Sequence, residues 1–287
     1  MKKNPEKTID ADVLRSYNLG VEKDRLRTDS GLIEFARTCE ILQEKLPPPP
    51  AVIYDIGGGY GEYAWWLADK GYQVYLYDIS EKNIDMAERL AAEYPGYALA
   101  AREVADARSV RRPDASADAV LLFGPLYHIV EYDERQNALK ECFRLLKPNG
   151  LLFSAAITRY ATTLWAITTY GLKNELLGDA DFIEMITREL ADGQHIKKPD
   201  TKYKGMGRSF FTLPDELKCE LSAAKFWDVD IRGVVGPAWL TPNLDEQWKN
   251  EARRENILRI VRLLEKEAPI LGVSTHLLAI ARRPEGR

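Results

Sequence analysis

The chain has 287 residues, 45% of them hydrophobic, and a formal net charge of −4 at pH 7. That is enough apolar material to bury a full core, as one large domain or one domain with an insert. A pI near 5.6 argues against a general polyanion-binding surface and so disfavours a nucleic-acid partner. Cys39, Cys142 and Cys219 are scattered without metal-ligand spacing and read as reduced thiols of a cytoplasmic protein, with no metal expected. Met1-Lys2-Lys3 is followed by polar residues and not by an apolar leader. No apolar run approaches the roughly 18 residues that cross a bilayer, so no membrane association is expected.

Taken in chain order, an amphipathic helix is predicted at about 32–46, carrying Leu32, Phe35, Ala36, Cys39, Leu42 and Leu46 on one face. Pro47 to Pro50 form a stiff spacer after it. Strands are then predicted at 51–56, 73–78, 98–103, 118–123, 150–157, 228–234 and 274–281, alternating with helices at 60–70, 81–93, 134–147 and 214–224. The near-continuous apolar runs at 118–123 and 150–157 suggest strands buried on both faces. The alternation predicts an α/β fold: a seven-stranded, mostly parallel, doubly wound sheet with a helical N-terminal cover and a helical lid insert. Residues 159–212 interrupt the pattern, with helical character at 160–172 and 178–192 followed by a loop rich in lysine, glycine and aromatics. A long segment there is more often a functional lid than a linker. The organisation reads as 1–50, N-terminal cover and spacer; 51–158, cofactor-binding half; 159–212, lid; and 213–287, completion of the sheet.

The first strand ends in Asp55-Ile56-Gly57-Gly58-Gly59-Tyr60-Gly61. Strand, glycine-dense turn and helix make a nucleotide-binding corner, because glycines permit positive φ and close ligand approach, and the helix start offers unpaired N–H groups. The dinucleotide pattern G-x-G-x-x-G fails, since its third glycine counted from Gly57 is Glu62; a P-loop fails because no Gly-Lys-Ser/Thr follows. Asp55 at the strand end suits a ligand's amino group better than a pyrophosphate. The next strand ends in Asp78, 21 residues after Gly57. A carboxylate at that tip can accept both ribose hydroxyls of a nucleoside, while Ser80 is the better helix cap.

The acidic-x-Gly-x-Gly-x-Gly spacing and Asp78 together resemble the class I S-adenosylmethionine-dependent methyltransferases, and Leu145-Leu146-Lys147-Pro148-Asn149-Gly150 resembles the family's helix-to-strand turn. The resemblance implies S-adenosylmethionine as cofactor and S-adenosylhomocysteine as product. It places Gly57, Gly58, Gly59 and Gly61 against the methionine portion, Asp78 and Ile79 at the ribose, and Asp106 and Ala107 at the adenine. Phe123 and Gly124 complete the cofactor set. Tyr17-Asn18-Leu19-Gly20 through Arg25 resembles a segment that folds over the cofactor, with Tyr17 over the sulfonium and Arg25 on the methionine carboxylate, unless Arg25 is merely part of a solvated face.

Phe123-Gly124-Pro125-Leu126-Tyr127-His128 follows the fourth strand and lacks the Asp/Asn/Ser-Pro-Pro-aromatic motif of methyltransferases acting on amino groups in nucleic acids. It resembles instead a bacterial subgroup presumed to act on small molecules. His128 is the candidate general base, or else a pocket-lining side chain; His195 and His276 read as structural. Tyr127, Tyr160, Phe210 and Trp239 are candidates for the substrate pocket, although most such aromatics pack cores or lids. Lys197, Lys198, Lys202, Lys204 and Arg208 against the single acid Asp200 offer a field for an anionic substrate, or a solvated loop. The expectation is a cytoplasmic methyltransferase, monomer or homodimer, acting on a small organic acceptor. The alternatives are a binding protein for the same nucleosides without catalysis, and a methyltransferase acting on nucleic acid or protein.

Overall fold

The computed structural model describes residues 25–94, 96–169, 174–203 and 205–285. After a short 3-10 turn at Arg25–Arg27, helix α1 spans Asp29–Lys45 and leads to strand β1, Val52–Ile56. Helix α2 (Glu62–Asp69), β2 (Gln73–Asp78), α3 (Glu81–Leu90), β3 (Ala101–Val104) and β4 (Ala117–Leu122) follow. A single turn α4 (Pro125–His128) then precedes α5 (Tyr132–Leu145) and β5 (Leu146–Ile157). The insert holds α6 (Ala161–Thr169), α7 (Ala180–Asp192) and the strands β6 (Gln194–Ile196) and β7 (Arg208–Phe210). Helix α8 (Pro214–Ala223), β8 (Trp227–Gly233), α9 (Leu244–Lys249), α10 (Glu251–Leu264), α11 (Ala268–Leu271) and β9 (His276–Arg282) complete the chain.

The main sheet has seven strands in the order β3-β2-β1-β4-β5-β9-β8. All neighbours run parallel except β9, which is antiparallel to both β5 and β8. Side-chain alternation along each strand sorts the core into two layers. Ile53, Leu76, Leu121, Phe153 and Ile280 face one cluster with Ile33 and Leu42 of α1 and Leu67 of α2. Tyr54, Tyr77, Val120, Leu122 and Leu152 face the other with Leu139 of α5 and Leu221 of α8. Helices therefore cover both faces. The strand order reverses between β1 and β4, so the crevice at their carboxyl ends is where such a sheet binds ligands.

Two connections position the crevice. Asp78 Oδ1 accepts from Ser80 N (2.8 Å) and Asn83 Nδ2 (3.0 Å), while Ser80 Oγ accepts from Asn83 N and caps α3 as expected. On the other side a buried ion network fixes α1: Arg37 donates to Glu265 at 2.6 and 2.8 Å, and Arg232 of β8 reaches both Glu265 and Glu44. Burying such charges is tolerable only because each is paired.

The structure adds elements the sequence pattern does not announce. Residues 244–271 form three helices; in α10 only Ile257, Leu258 and Val261 are buried, too narrow a stripe among charges to stand out. The predicted strand at 98–103 begins at Ala101, and the predicted loop after α7 is a hairpin of β6 with β7. The insert has an apolar cluster of its own, built from Ala166, Leu176, Phe182, Met185, Ile186 and Tyr203.

Candidate active site

The glycine turn leaves β1 at the sheet's switch point. Gly57, Gly59 and Gly61 have φ of +74°, +61° and +96°, a region that side chains disfavour. A Cβ on Gly57 would stand 2.5 Å from Pro125, so the turn after β4 packs directly on the turn after β1. Gly59 faces open space. Its N–H donates to Asp78 Oδ2 at 2.9 Å, which ties the tip of β2 to the turn.

An open cleft, continuous with solvent, lies over this turn. Gly57, Gly58 and Gly59 form its floor, with Arg25, Glu34, Tyr63, Phe123, Tyr127 and Ala155 around them. Phe123 and Tyr63 meet edge to face at 5.0 Å. Arg25, at the cleft wall, donates to both oxygens of Glu34 at 2.6 and 3.1 Å. Gly124 lies with its φ at +138° beside the Gly57 carbonyl.

Beneath the turn, Asp55 is wholly buried and neither carboxylate oxygen has a hydrogen-bond partner. Burial, reinforced by the nearby Asp78 carboxylate, pushes its pKa up to about 7. A buried acid left unsatisfied in the protein alone fits a ligand that brings a cation. The glycine cradle, the open space at Gly59 and this carboxylate together fit a nucleoside with an ammonium group.

Several predicted residues meet at this cleft: Arg25, Gly57, Gly58, Gly59, Phe123 and Tyr127. Asp78, Ile79, Asp106 and Ala107 lie on the β2–β3 side and do not line it. Asp106 is engaged: its carboxylate accepts from the Arg108 backbone N–H at 2.8 Å and from the Arg108 guanidinium at 2.6 to 3.1 Å. Tyr17 and Lys204 lie outside the described residues. His128 is not among the residues that line this cleft, and its ring lies 4.7 Å from that of Tyr127.

The aromatic candidates divide. Phe210 lines a small recess with Tyr127 and stacks under Arg135, whose guanidinium carbon is 3.6 Å from the ring centre. Tyr160 is 41% exposed and packs beside Gly272, while Trp239 spends its N–H on the Val273 carbonyl, so neither reaches the cleft. The positive field expected at 197–208 is largely neutralised. Lys198 pairs with Asp181 and Glu184, Lys202 with Glu175, and Arg208 with Glu131. Acids from α5's approach, the 3-10 turn before α7 and α7 itself supply the counter-charges, which a local count from Lys197 to Arg208 misses.

Among the cleft residues that sequence reasoning did not single out are Glu34 and Tyr63. His276, read as structural, stands with its Nδ1 3.6 Å from Glu34 Oε2 and lines a small recess with Glu34 and Tyr63. Glu34 and Tyr63 carry no motif; they read from sequence as interior positions of two amphipathic helices.

Comparison with known proteins matches residues 54–154 to the family described as "Methyltransferase domain". Among curated proteins, the ubiquinone biosynthesis O-methyltransferase of Caulobacter vibrioides is 33% identical over 187 residues, 65% of this chain and 62% of that protein. The chain thus spans about three-fifths of the length of the O-methyltransferases it matches. The tRNA 5-carboxymethoxyuridine methyltransferase of Escherichia coli strain K12 is 22% identical, over 85% of this chain and 84% of that protein. The solved structure of a SAM-dependent methyltransferase from Methanosarcina mazei superposes with a TM-score of 0.55 at 22% identity, covering 86% of this chain and 98% of that one. At that identity the likeness is one of fold, and it matches the seven-stranded sheet described above.

Proposed function

This chain belongs to the class I S-adenosylmethionine-dependent methyltransferase family, and from that premise we propose that it transfers a methyl group to a small organic acceptor. The observation that carries the reading is the unsatisfied Asp55 carboxylate under a glycine turn whose φ values exclude ordinary side chains. When bound, S-adenosylmethionine supplies a methyl group made electrophilic by the sulfonium. The protein's task is to hold the acceptor in line, exclude water and take up any proton the acceptor releases.

In this reading Gly57, Gly58 and Gly59 cradle the methionine portion and Asp55 answers its ammonium. Arg25 stands beside Glu34 ready for the carboxylate, and Phe123 and Gly124 close the floor. Gly61 starts α2 beneath them. Asp78 and Ile79 serve the ribose, and Asp106 and Ala107 the adenine. For Asp106 that role requires sharing its carboxylate with Arg108. His128 and Tyr127, on the turn after β4, belong to the acceptor side. The protein works in the cytoplasm as a monomer or homodimer and needs no metal.

A second reading rests on one observation: the tRNA methyltransferase relative is matched over more of both chains than the O-methyltransferases are. The paired lysines of the insert weigh against it, because a tRNA surface needs uncompensated cations. Calorimetry with S-adenosylhomocysteine, followed by a turnover screen against a metabolite library and bulk tRNA with mass detection, tests both. Binding without product from either pool would favour a regulatory protein. Strongly salt-dependent RNA binding would favour tRNA.

A further inference from the structure

The insert carries a buried polar pair that the cleft does not use. His195 of β6 and Glu189 of α7 are both wholly buried, with His195 Nδ1 2.7 Å from Glu189 Oε2. The other ring nitrogen, Nε2, donates to the Met206 carbonyl at 3.1 Å, since a carbonyl only accepts. Glu189 Oε1 meets no hydrogen-bond donor among the described residues. Apolar side chains of similar volume fill such a space as stably or better, so packing alone does not call for this pair. What the pair supplies is a fixed ring. A histidine held at both nitrogens has one orientation.

Two contacts carry that ring toward the cleft. Phe211 stacks on it, with centroids 4.7 Å apart and planes inclined by 22°. Met206, whose carbonyl holds Nε2, packs against the apolar cluster of Ile157, Ala161 and Phe211. Tyr127 packs against the same cluster and also lines the cleft. The turn α4, which carries Tyr127, lies directly against β7. On its other side His195 meets Tyr203 edge to face at 5.5 Å, and Tyr203 belongs to the insert's own apolar cluster with Phe182, Met185 and Ile186. His195 therefore stands between the core of the insert and the packing behind Tyr127.

Resting on the methyl-transfer reading, we infer that the insert sets one wall of the acceptor's approach: His195, fixed by Glu189, positions Tyr127 through Phe211 and Met206. Glu189 and His195 are positioning residues, and Tyr127 is the side chain that faces the ligand. Close-packed interiors pass a displacement from one side chain to the next, and here contiguous packing runs from α7 to the cleft. Residues that never touch the acceptor thus help decide which acceptors fit.

The Tyr127 ring signal, assigned by its loss in Tyr127→Phe, reports this by NMR in the ligand-free protein. Glu189→Gln keeps the shape of the side chain but removes the charge that holds Nδ1. The double variant Glu189→Met, His195→Phe fills the same space with apolar groups and keeps a ring on Phe211, so it serves where the single variant fails to fold. The Tyr127 signal should shift in both, although the double variant melts no lower than the wild type. S-adenosylhomocysteine should bind both as it binds the wild type, because its contacts lie along the glycine turn. Once an acceptor is known, its KM should rise more than kcat falls, with kcat/KM lowered by as much as about 10²-fold. A wild-type Tyr127 signal in the folded double variant overturns the inference, since the pair then only fills space. Failure of S-adenosylhomocysteine to bind the wild type strikes the methyltransferase reading instead, and the Tyr127 signal, read without ligand, still decides the positioning.

Discussion

The buried acid under the glycine turn makes a quantitative demand on stability. Asp55 has a folded pKa of about 7 against an ordinary 3.8 because it is desolvated and lies near Asp78. Between those values the folded protein holds a proton that the unfolded chain has released, so stability must fall as pH rises from about 4 to about 7 and then level off. The difference is about 3, and at about 1.4 kcal/mol per pKa unit the ligand-free protein carries a penalty on the order of 4 kcal/mol above neutrality. Asp55→Asn keeps the shape and removes the titration. Denaturant unfolding of both proteins across this pH range should therefore show the variant gaining on the wild type by about that amount between pH 4 and pH 8. The gain should vanish at the acid end. In the proposed function a ligand ammonium restores the charged carboxylate, so S-adenosylhomocysteine binding near pH 6.5 should release a proton from the wild type only. Calorimetry in buffers of differing ionisation enthalpy reads this directly. Parallel pH curves for wild type and variant would refute the argument, since then the carboxylate is ionised in its buried place and something on the protein already compensates it.

Asp78→Ala should weaken S-adenosylhomocysteine by about 1.5–3 kcal/mol for each charged hydrogen bond lost, read by calorimetry; unchanged affinity would remove Asp78 from the ribose. Gly57→Ala forces a side chain into φ +74° and against Pro125, so it should cost about 1–3 kcal/mol of strain and lower Tm; an unaltered melting curve would show that the packed turns yield. Residues 25–45 and 159–212 should exchange amide hydrogen more slowly once S-adenosylhomocysteine is bound, because Arg25 and Glu34 wall the cleft and Tyr127 packs against the insert beside Phe211 and Ile157. Equal exchange with and without ligand would mean neither segment closes.

Legibility followed the range of the cause. β1 and β2 are readable because an apolar run and its terminal acid are contiguous, and the glycine turn is readable because three positive-φ positions fall within five residues. Ser80 as the α3 cap is equally local. Helix α10 is not, since only three of its side chains are buried and its charged face pairs with partners far away, Arg262 with Glu40 among them. The basic stretch after α7 misleads for the same reason: its counter-charges sit at Glu131, Glu175, Asp181 and Glu184, all upstream of it.

The two halves of the site differ in the same way, and the difference has a physical origin. The floor of the cleft can be written as one motif, because the backbone that the glycines bend is itself that floor. An acceptor must instead be walled on several sides, so its residues arrive from separate elements. Glu34 and His276 are 242 positions apart and meet only because β9 inserts antiparallel beside β5 while the Arg37–Glu265–Arg232 network clamps α1 over it. His128 draws attention in sequence because it follows the β4 tip directly; on α4 it stands beside Tyr127, which lines the cleft. Sequence proximity to a motif therefore marks residues that wall the cleft beside it, and not those that tertiary packing brings in from α1.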